Sequence, residues 1–328
     1  MKVFIVTEGL QSTGYGHLTR CLALYQAFEE IGIQSTFIAL CDDEGKRYLG
    51  DINLEAYNWH EKRDKILEQI KGSEITIIDS YLASKKIYSQ ISECVEIAAY
   101  IDDYIRIDYP KGIIINGTIN AENLPYKIKP NQRYLLGLDY ILLRKEFWDI
   151  QNIKRNGKIH DVLITFGGRD IRNLTFIILD YLLENFSLFN YHVVFGINNK
   201  IENLYKYKKF NVTFYSSLNA EQILELMLKC DLAISAAGQT INELARVGLQ
   251  TVGIGVVENQ RYTLNGWVEK GFLKKEIWYY HEDLLEQVAN SFQEIINNHN
   301  NKDTAYCDGQ GARRIMNNVI DSIKEKNE

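Results

Sequence analysis

The sequence predicts an α/β protein of two domains, each built on a doubly wound parallel sheet. Short apolar runs, typical of strands buried on both faces, alternate with segments of helical periodicity. Glycines and polar residues directly follow several of these runs, as they do where strands of such a sheet end. The series stops in a polar stretch near Trp148–Lys158 and then begins again, and 328 residues fit two domains of ordinary size.

The first half opens with a strand predicted over Val3–Val6 and a loop from Glu8 to Gly16 that is rich in Gly, Ser and Thr. An amphipathic helix is predicted over Leu18–Ile31, because its apolar residues recur at helical spacing, and Gly32 ends it. Further apolar runs predict strands at Gln34–Leu40, Ile75–Asp79, Val95–Ile101 and Gly112–Ile115.

The second half repeats this pattern and ends in a C-terminal helix from Gly309 to about Lys324. We place the domains at 1–150 and 151–328, with a cleft between the carboxyl ends of the two sheets, where ligands bind in open parallel sheets. The predicted strands are Val162–Phe166, Tyr191–Phe195, Val212–Tyr215, Leu232–Ser235 and Thr251–Ile254, with helices at Ala220–Leu228 and Ile241–Val247.

Composition and charge exclude several classes of protein. Hydrophobic residues at 46% and charged residues at 24% are ordinary for a globular protein, and the net charge of −6 disfavours nucleic-acid binding. Five scattered cysteines without a CxxC pair fit a reducing cytosol. No secretory leader and no apolar run near the ~18 residues of a membrane span is present. We expect a soluble, cytoplasmic monomer that binds no nucleic acid and inserts into no membrane.

The loop Ser12–Arg20 joins the first strand to the first helix and carries the first candidate site. Its residues Gly14 and Gly16 allow close approach of the backbone to a ligand, and the helix N-terminus suits a phosphate. His17 lies at the helix start, where the dipole favours the neutral imidazole, which can act as a base. The alternative is a helix cap beside a solvated histidine, and the spacing is not that of a dinucleotide fold.

Gly167-Gly168-Arg169-Asp170 repeats this arrangement after the first strand of the second half. Two glycine-rich turns that face each other would hold a diphosphate. The alternative is an ordinary turn from strand to helix in which Asp170 is the N-cap.

Two further loops of the second half follow predicted strands. In Ser235–Glu243, small residues let a ligand approach a helix N-terminus, and Glu243 would accept hydrogen bonds from two ribose hydroxyls. The alternative is a surface acid that complements the helix dipole. In Val257–Gln260, the amides suit a sugar or a phosphate, and ordinary turn chemistry is the alternative.

Two acidic segments, Asp79-Ser80-Tyr81 and Asp102-Asp103-Tyr104, also end strands. Adjacent acids can hold a metal, but no DxD or His/Asp cluster accompanies them, so we expect capping or structural hydrogen bonds and no metal. The other histidines show no partner in the sequence and are interpreted as structural or surface residues: His60, His160, His192, His281 and His299.

Taken in order, five motifs resemble those of the nucleotide-sugar hydrolases of pseudaminic acid biosynthesis, and the resemblance covers nearly the whole chain. Thr7-Glu8-Gly9 and Asp102-Asp103-Tyr104 are closer to the spore-coat polysaccharide branch of that group. The five motifs are Gly14–Leu22, Gly167–Asp170, Ser235–Glu243, Glu258–Gln260 and Asp308–Arg313.

The resemblance implies a GT-B fold whose last helix, about 309–325, packs back on the first domain. It implies a hydrolase without metal or cofactor that releases UDP from a UDP-2,4-diacetamido-2,4,6-trideoxyhexose by attack at the anomeric carbon, and a sugar product that feeds nonulosonic acid synthesis. By the same resemblance, His17 activates water, Tyr81 faces the sugar, Asn259 contacts the diphosphate or sugar, and Glu243 contacts the ribose. The proposed nucleotide and diphosphate residues are Gly14, Gly16, Arg20, Gly167, Gly168, Asp170, Ser235, Ala237, Gly238, Thr240, Glu243 and Gln260.

The chain departs from the family pattern at two positions that are expected to face the sugar. Thr7-Glu8 stands where the hydrolases have Asp-Ala or Asp-Ser, and Ser80 stands where a histidine is frequent. The residues do not decide whether the nucleotide of the substrate is UDP, GDP or CDP. An inverting glycosyltransferase of the same fold is the alternative function, although Glu29-Glu30 disfavours a membrane-bound acceptor. A nucleotide-sugar binding module is a third, and His17 argues against it.

Overall fold

The computed structural model describes residues 1–10, 14–151, 157–168, 170–196, 204–216, 218–298 and 305–327. The chain divides into two compact units: Met1–Trp148 with Gly309–Glu328 form the first, and Asp149–Asp308 form the second. Several residues named above lie outside the described ranges: Ser12, Thr13, Arg169, His299 and residues 152–156 of the polar stretch.

A seven-stranded sheet is the centre of the first unit, and every strand in it is parallel to its neighbours. Its strands are β1 (Val3–Gly9), β2 (Ser35–Cys41), β3 (Leu54–Ala56), β4 (Ile75–Asp79), β5 (Ile97–Ile101), β6 (Gly112–Asn116) and β7 (Gln132–Leu136). Its helices are α1 (Gly16–Glu30), α2 (Asp43–Leu49), α3 (Arg63–Ile70) and α4 (Lys85–Cys94).

The strand order in this sheet is β3-β2-β1-β4-β5-β6-β7, so the order reverses between β1 and β4. The chain leaves these two strands in opposite directions, which opens a crevice at their carboxyl ends and makes this edge the place where such sheets bind ligands. All seven residues of β1 are buried, which explains why its apolar run lacks the alternation of a half-exposed strand.

The second unit repeats the architecture with a six-stranded parallel sheet in the order β10-β9-β8-β11-β12-β13, which reverses between β8 and β11. Its strands are β8 (Asp161–Thr165), β9 (Asn190–Phe195), β10 (Val212–Ser216), β11 (Leu232–Ala236), β12 (Thr251–Gly255) and β13 (Ile277–Trp278). Its helices are α5 (Leu174–Asn185), α6 (Ala220–Lys229), α7 (Gln239–Val247), α8 (Arg261–Glu269) and α9 (Leu284–Asn297).

The last helix, α10 (Gly311–Asn327), belongs to the first unit, as the resemblance implied. At its start, the Arg313 guanidinium bonds the Glu30 carboxylate of α1, with Nε 2.7 Å from Oε2. Gly311 lies so close to the backbone of Ile141 that a Cβ there would be 2.1 Å from the Ile141 carbonyl oxygen. Only glycine therefore permits this contact between the helix start and the chain near residue 141.

The element bounds differ from the predicted ones mainly at the ends. Strand β1 runs on to Gly9, because Glu8 pairs in the ladder with Leu40 where a loop was predicted. Strands β3, β7 and β13 were not predicted: β3 and β13 are very short, and β7 begins with polar residues. Within the described ranges, no helix has the length and apolar character needed to cross a membrane.

Candidate active site

His17 is the second residue of α1, and the packing of that helix fixes its place at the carboxyl end of β1. Leu18 packs so closely on Gly9 that a Cβ on this glycine would lie 2.3 Å from Leu18 Cγ. The start of α1 is therefore pressed against the end of β1. The His17 side chain is buried, so the alternative of a solvated histidine is wrong.

Asp79 is the hydrogen-bond partner of His17, with Oδ1 2.7 Å from Nδ1. It is the last residue of β4 and is fully buried beside Thr7 of β1, so the pair spans the point where the strand order reverses. Burial alone would raise the pKa of the Asp79 carboxyl, but Arg20 and His17 outweigh it and hold the pKa well below its usual range.

The ionised Asp79 fixes which nitrogen of His17 can act as a base. A carboxylate only accepts hydrogen bonds, so the hydrogen between the two groups belongs to Nδ1. In the neutral ring, Nε2 then carries the free lone pair. Within the described part of the chain, the hydrogen bonds of the ring are made at Nδ1 and none at Nε2. A carboxylate that orients a histidine in this way is the arrangement of a general base.

Arg20 lies one turn after His17 and pairs with two carboxylates. Its Nη2 is 2.7 Å from Asp79 Oδ1, its Nε also bonds Asp79, and its Nη1 is 2.5 Å from Asp103 Oδ1. Burial would lower the pKa of this guanidinium, but Asp103 and Asp79 raise it well above its usual value. We predicted that Arg20 binds the diphosphate. In the structure, the N–H groups of Arg20 instead donate to the Asp79 and Asp103 carboxylates.

Tyr81 stands edge-on to His17, with ring centroids 4.3 Å apart and an interplanar angle of 87°. Its hydroxyl donates a short hydrogen bond to Asp103. Burial and the Asp103 carboxylate together raise the pKa of this phenol far above its usual range, so Tyr81 stays protonated. The predicted sugar-facing tyrosine therefore lies beside the predicted base.

Glu8 and Ser80 do not face a ligand, contrary to the expectation from the family pattern. Both side chains are buried, and their oxygens accept hydrogen bonds from backbone N–H groups of the loop after β4. Glu8 Oε1 accepts from Tyr81 at 2.7 Å and from Leu82 at 3.0 Å, and Ser80 Oγ accepts from Ala83 at 2.9 Å. They shape the loop that carries Tyr81.

The remaining described histidines are structural or surface residues, but three of them do have partners that the sequence did not show. Three of them have side-chain partners, two of which are distant in sequence and become neighbours only through the strand order: His60 with Glu8, His192 with Asp161, and His281 with Gln287. His160 donates its backbone N–H to Asp231 and has an exposed side chain.

In the second unit, the glycine turn after β8 lies next to the end of β11. Gly167 has φ of 75°, which favours glycine, and Gly168 is exposed. The carboxylate of Asp170 accepts from the backbone N–H groups of Leu174 and Thr175 at 2.9 and 2.7 Å. The alternative that Asp170 is the N-cap is wrong in its position, because Asn173 is the N-cap of α5, but the Asp170 carboxylate does bind the first N–H groups of that helix.

The loops after β11 and β12 come together in the second unit. Gly238 is the N-cap of α7 and no side chain caps that helix. The Gln260 side chain accepts from the Val256 N–H at 2.8 Å, and its Nε2 lies 3.4 Å from where a Cβ on Gly238 would be. The N-terminus of α7 and a side-chain amide therefore meet at the carboxyl edge of the sheet, an arrangement that suits phosphate.

The other predicted residues of these loops differ in burial. Glu243 is buried at 2% exposure, so the alternative of a surface acid is wrong. Ser235 and Ala237 are also buried, Thr240 is half-buried and Asn259 is exposed. In the first unit, Gly14 has φ of 80° before α1, and Gly16 is the first residue of that helix.

Sequence reasoning missed the roles of Asp79 and Asp103. Their positions at strand ends were recognised, but nothing in the sequence shows that β4 lies next to β1 or that the loop after β5 reaches Arg20. Across the ranges that the structure describes, no group of three or more His, Cys, Asp or Glu side chains could hold a metal ion.

Solved structures share this architecture. The Staphylococcus aureus protein MnaA bound to UDP matches with a TM-score of 0.65 at 13% identity, covering 99% of this chain and 97% of that one. MurG of Acinetobacter baumannii matches with a TM-score of 0.59 at 13% identity, covering 99% of this chain and all of that one. At such identities the likeness shows the fold alone, and it confirms the predicted GT-B class.

Three relatives are similar in sequence, while no protein-family model matches the chain. The bifunctional pseudaminic acid cytidylyltransferase and UDP-2,4-diacetamido-2,4,6-trideoxy-β-L-altropyranose hydrolase of Helicobacter pylori is 28% identical over 79% of this chain and 45% of its own length. The hydrolase of the same name from Campylobacter jejuni is 26% identical over 83% and 98%. An uncharacterized protein of Methanocaldococcus jannaschii is 27% identical over 82% and 59%.

The chain thus spans about half the length of the Helicobacter and Methanocaldococcus relatives and nearly all of the Campylobacter hydrolase. The resemblance to the UDP-2,4-diacetamido-2,4,6-trideoxy-β-L-altropyranose hydrolases that the motifs indicated is confirmed over most of the chain.

We predict that Asp79→Asn lowers the free energy of unfolding at pH 7 by about 3 kcal/mol, because it removes the charged partner of two buried groups. The pKa of Asp79 is depressed in the folded state, so its stabilisation is complete above about pH 5, begins to fall below the unfolded value of about 3.9, and is lost as the pH falls through the much lower folded value. Urea unfolding should show that the difference in free energy of unfolding between variant and wild type is smaller at pH 3.5 than at pH 7.

The exposed Asp321→Asn is the control, with little effect at either pH. A difference between Asp79→Asn and wild type that is equal at both pH values would contradict the assignment of Asp79 as ionised and paired.

Proposed function

We propose that this chain is a nucleotide-sugar hydrolase that releases UDP from a UDP-2,4-diacetamido-2,4,6-trideoxyhexose without a metal ion. The observation that carries the proposal is the 2.7 Å pair of His17 and the buried, ionised Asp79 at the point where the strand order reverses. The names of the Helicobacter and Campylobacter relatives supply the substrate class.

In the proposed reaction, His17 Nε2 removes a proton from a water molecule while the water oxygen bonds to the anomeric carbon. The bond between that carbon and the diphosphate oxygen breaks, and its electron pair leaves with UDP. Asp79 stabilises the imidazolium that forms, as a carboxylate does in a Ser-His-Asp triad. Direct displacement by water inverts the configuration at the anomeric carbon.

The two units supply different parts of this chemistry in the proposal. The first supplies His17 and, beside it, Tyr81, whose ring faces the sugar. The second supplies the nucleotide-binding residues: Gly167, Gly168, Gly238, Thr240 and Gln260 for the diphosphate, Glu243 for the ribose, and Asn259 for the diphosphate or sugar. The free sugar would serve nonulosonic acid or surface polysaccharide synthesis.

The test is NMR of the protein with UDP-2,4-diacetamido-2,4,6-trideoxy-β-L-altrose in ¹⁸O-enriched water, with a chelator and no added acceptor. The proposal expects free sugar and UDP, with the ¹⁸O label on the sugar, because the carbon–oxygen bond breaks. Label on UDP would contradict attack at carbon. Turnover that needs an added sugar acceptor would instead identify a glycosyltransferase.

We predict that His17→Ala lowers turnover by ~10²–10⁴-fold, the usual contribution of a general base, and leaves UDP affinity unchanged. The matched control is His192→Ala. His192 is a buried histidine in the second unit with the same 2.7 Å contact to an aspartate, Asp161, but it lies away from the carboxyl ends of the strands. Removal of the His192 side chain should leave turnover within about twofold of the wild-type value. Equal turnover in the two variants would remove His17 from the mechanism.

We predict that Glu243→Gln weakens UDP binding about tenfold, because a hydrogen bond to a carboxylate contributes ~1.5–3 kcal/mol. Calorimetry with UDP and 2′,3′-dideoxy-UDP identifies the group involved, since the variant should lose its preference for the natural ribose. The exposed Glu184→Gln, near the end of α5, is the control. A preserved preference in Glu243→Gln would refute the ribose assignment.

A further inference from the structure

We propose that Glu8 is a positioning residue that, together with His60, fixes the loop 80–83 and thereby sets the Tyr81 ring against His17. The inference rests on the proposed function, in which Tyr81 faces the sugar. It concerns a residue at which this chain departs from the pattern of the hydrolases that it resembles.

Glu8 lies in β1 one residue beyond the point where β1 stops pairing with β4. Its pairing with β2 continues through Glu8 and Gly9, but the pairing with β4 ends one residue earlier, at Thr7 and Asp79. The chain after β4 therefore turns away at the level of Glu8. The Glu8 side chain, with no exposed surface, fills this place.

The Glu8 carboxylate joins three segments of the first unit. Its Oε1 accepts the two successive N–H groups of Tyr81 and Leu82, at 2.7 and 3.0 Å, and its Oε2 lies 3.1 Å from His60 Nε2. Burial would raise the pKa of Glu8, but the hydrogen bonds from His60 and Ser80 outweigh it and keep the pKa below its usual value. The buried group is therefore an ionised acceptor.

His60 is itself held rigidly. Its ring packs on Trp59 with centroids 3.7 Å apart, and the buried Trp59 donates its indole N–H to the Thr7 carbonyl at 2.8 Å. The histidine therefore approaches Glu8 from a side chain that is tied to β1. This arrangement fixes the second carboxylate oxygen and, through it, the rotation of the first.

The Tyr81 loop is held from the opposite side by other groups. Arg106 Nη1 donates to the Ala83 carbonyl at 3.2 Å and lies 3.5 Å from the Tyr81 carbonyl, while Asp103 accepts from the Tyr81 hydroxyl. Glu8 is the partner of the loop's N–H groups, so its removal frees one side of the loop and leaves the other tethered. The Tyr81 ring should then turn from its edge-on contact with His17.

The test compares Glu8→Ala, Glu8→Asp and Glu8→Gln by site-resolved hydrogen exchange and by turnover of UDP-2,4-diacetamido-2,4,6-trideoxy-β-L-altrose. We expect faster exchange at the Tyr81 and Leu82 amides in Glu8→Ala, with kcat at least tenfold lower and UDP affinity unchanged. Glu8→Gln keeps an acceptor oxygen on a side chain of the same length, so its amide exchange and its kcat should both be close to those of the wild type. Glu8→Asp keeps the charge but is shorter by one C–C bond, so it replaces Glu8→Ala if that variant fails to fold.

A double-mutant cycle separates positioning from general stability. If Glu8 acts through Tyr81, adding Glu8→Ala to Tyr81→Ala lowers kcat by less than twofold. Losses of kcat that multiply in the double variant would overturn the proposal. Asp161→Asn, which breaks the comparable pair with His192 in the second unit, is the control that should lower the melting temperature without changing kcat.

The exchange measurement keeps this proposal distinct from the proposed function. Wild-type protein that hydrolyses no UDP-sugar would refute the hydrolase, and the exchange rates would still decide whether Glu8 holds the loop. Unchanged exchange at Tyr81 and Leu82 in Glu8→Ala and Glu8→Asp would overturn the positioning role, whatever the activity.

Discussion

The carboxylate of Asp79, buried at the end of β4, is the group on which the rest of the first-unit site depends. A buried charge of this kind costs several kcal/mol unless it is paired and hydrogen-bonded. Helix α1 meets that demand with His17 and Arg20, which lie three residues apart and so on one face of the helix. Arg20, itself half-buried, also pairs with a second carboxylate, Asp103, which in turn accepts a hydrogen bond from the Tyr81 hydroxyl. The buried Asp79 charge thus fixes, directly or through a partner, the positions of four side chains: His17, Arg20, Asp103 and Tyr81.

The same arrangement suits the charge that would develop in the proposed reaction. Two carboxylates surround one guanidinium in this cluster, so it carries an excess of negative charge before His17 takes up a proton. The imidazolium would be stabilised by that excess, while Arg20 moderates it and keeps Asp79 ionised. The pairing that permits Asp79 to be buried therefore also prepares the histidine, and the site needs no rearrangement to accept the proton.

The main strands and the placement of His17 were predictable from the sequence, whereas its partners were not. A strand buried on both faces, such as β4, is a continuous apolar run, while β3 and β13 are too short to show a pattern. A histidine at a helix start is a local feature. Its contact with Asp79, 62 residues later, follows from the strand order, which no local pattern specifies. Asp170 shows a second limit of prediction from sequence. Loops that cap a helix and loops that bind an anion favour the same residue types, so the sequence could not distinguish the two roles.

The departure at residues 7 and 8 gains a physical meaning from the alternation of side chains along a strand. The family pattern has its acid at the position of Thr7, and this chain has its acid one residue later. In a strand, a shift of one residue moves a side chain to the opposite face of the sheet. On that other face, Glu8 meets His60 and the N–H groups of the Tyr81 loop. The Glu8 carboxylate therefore lies on the face of β1 that supports the Tyr81 loop, and not on the face of Thr7. A difference in substrate between this chain and those relatives would then be set by how the loop is held, as well as by the residues that touch the sugar.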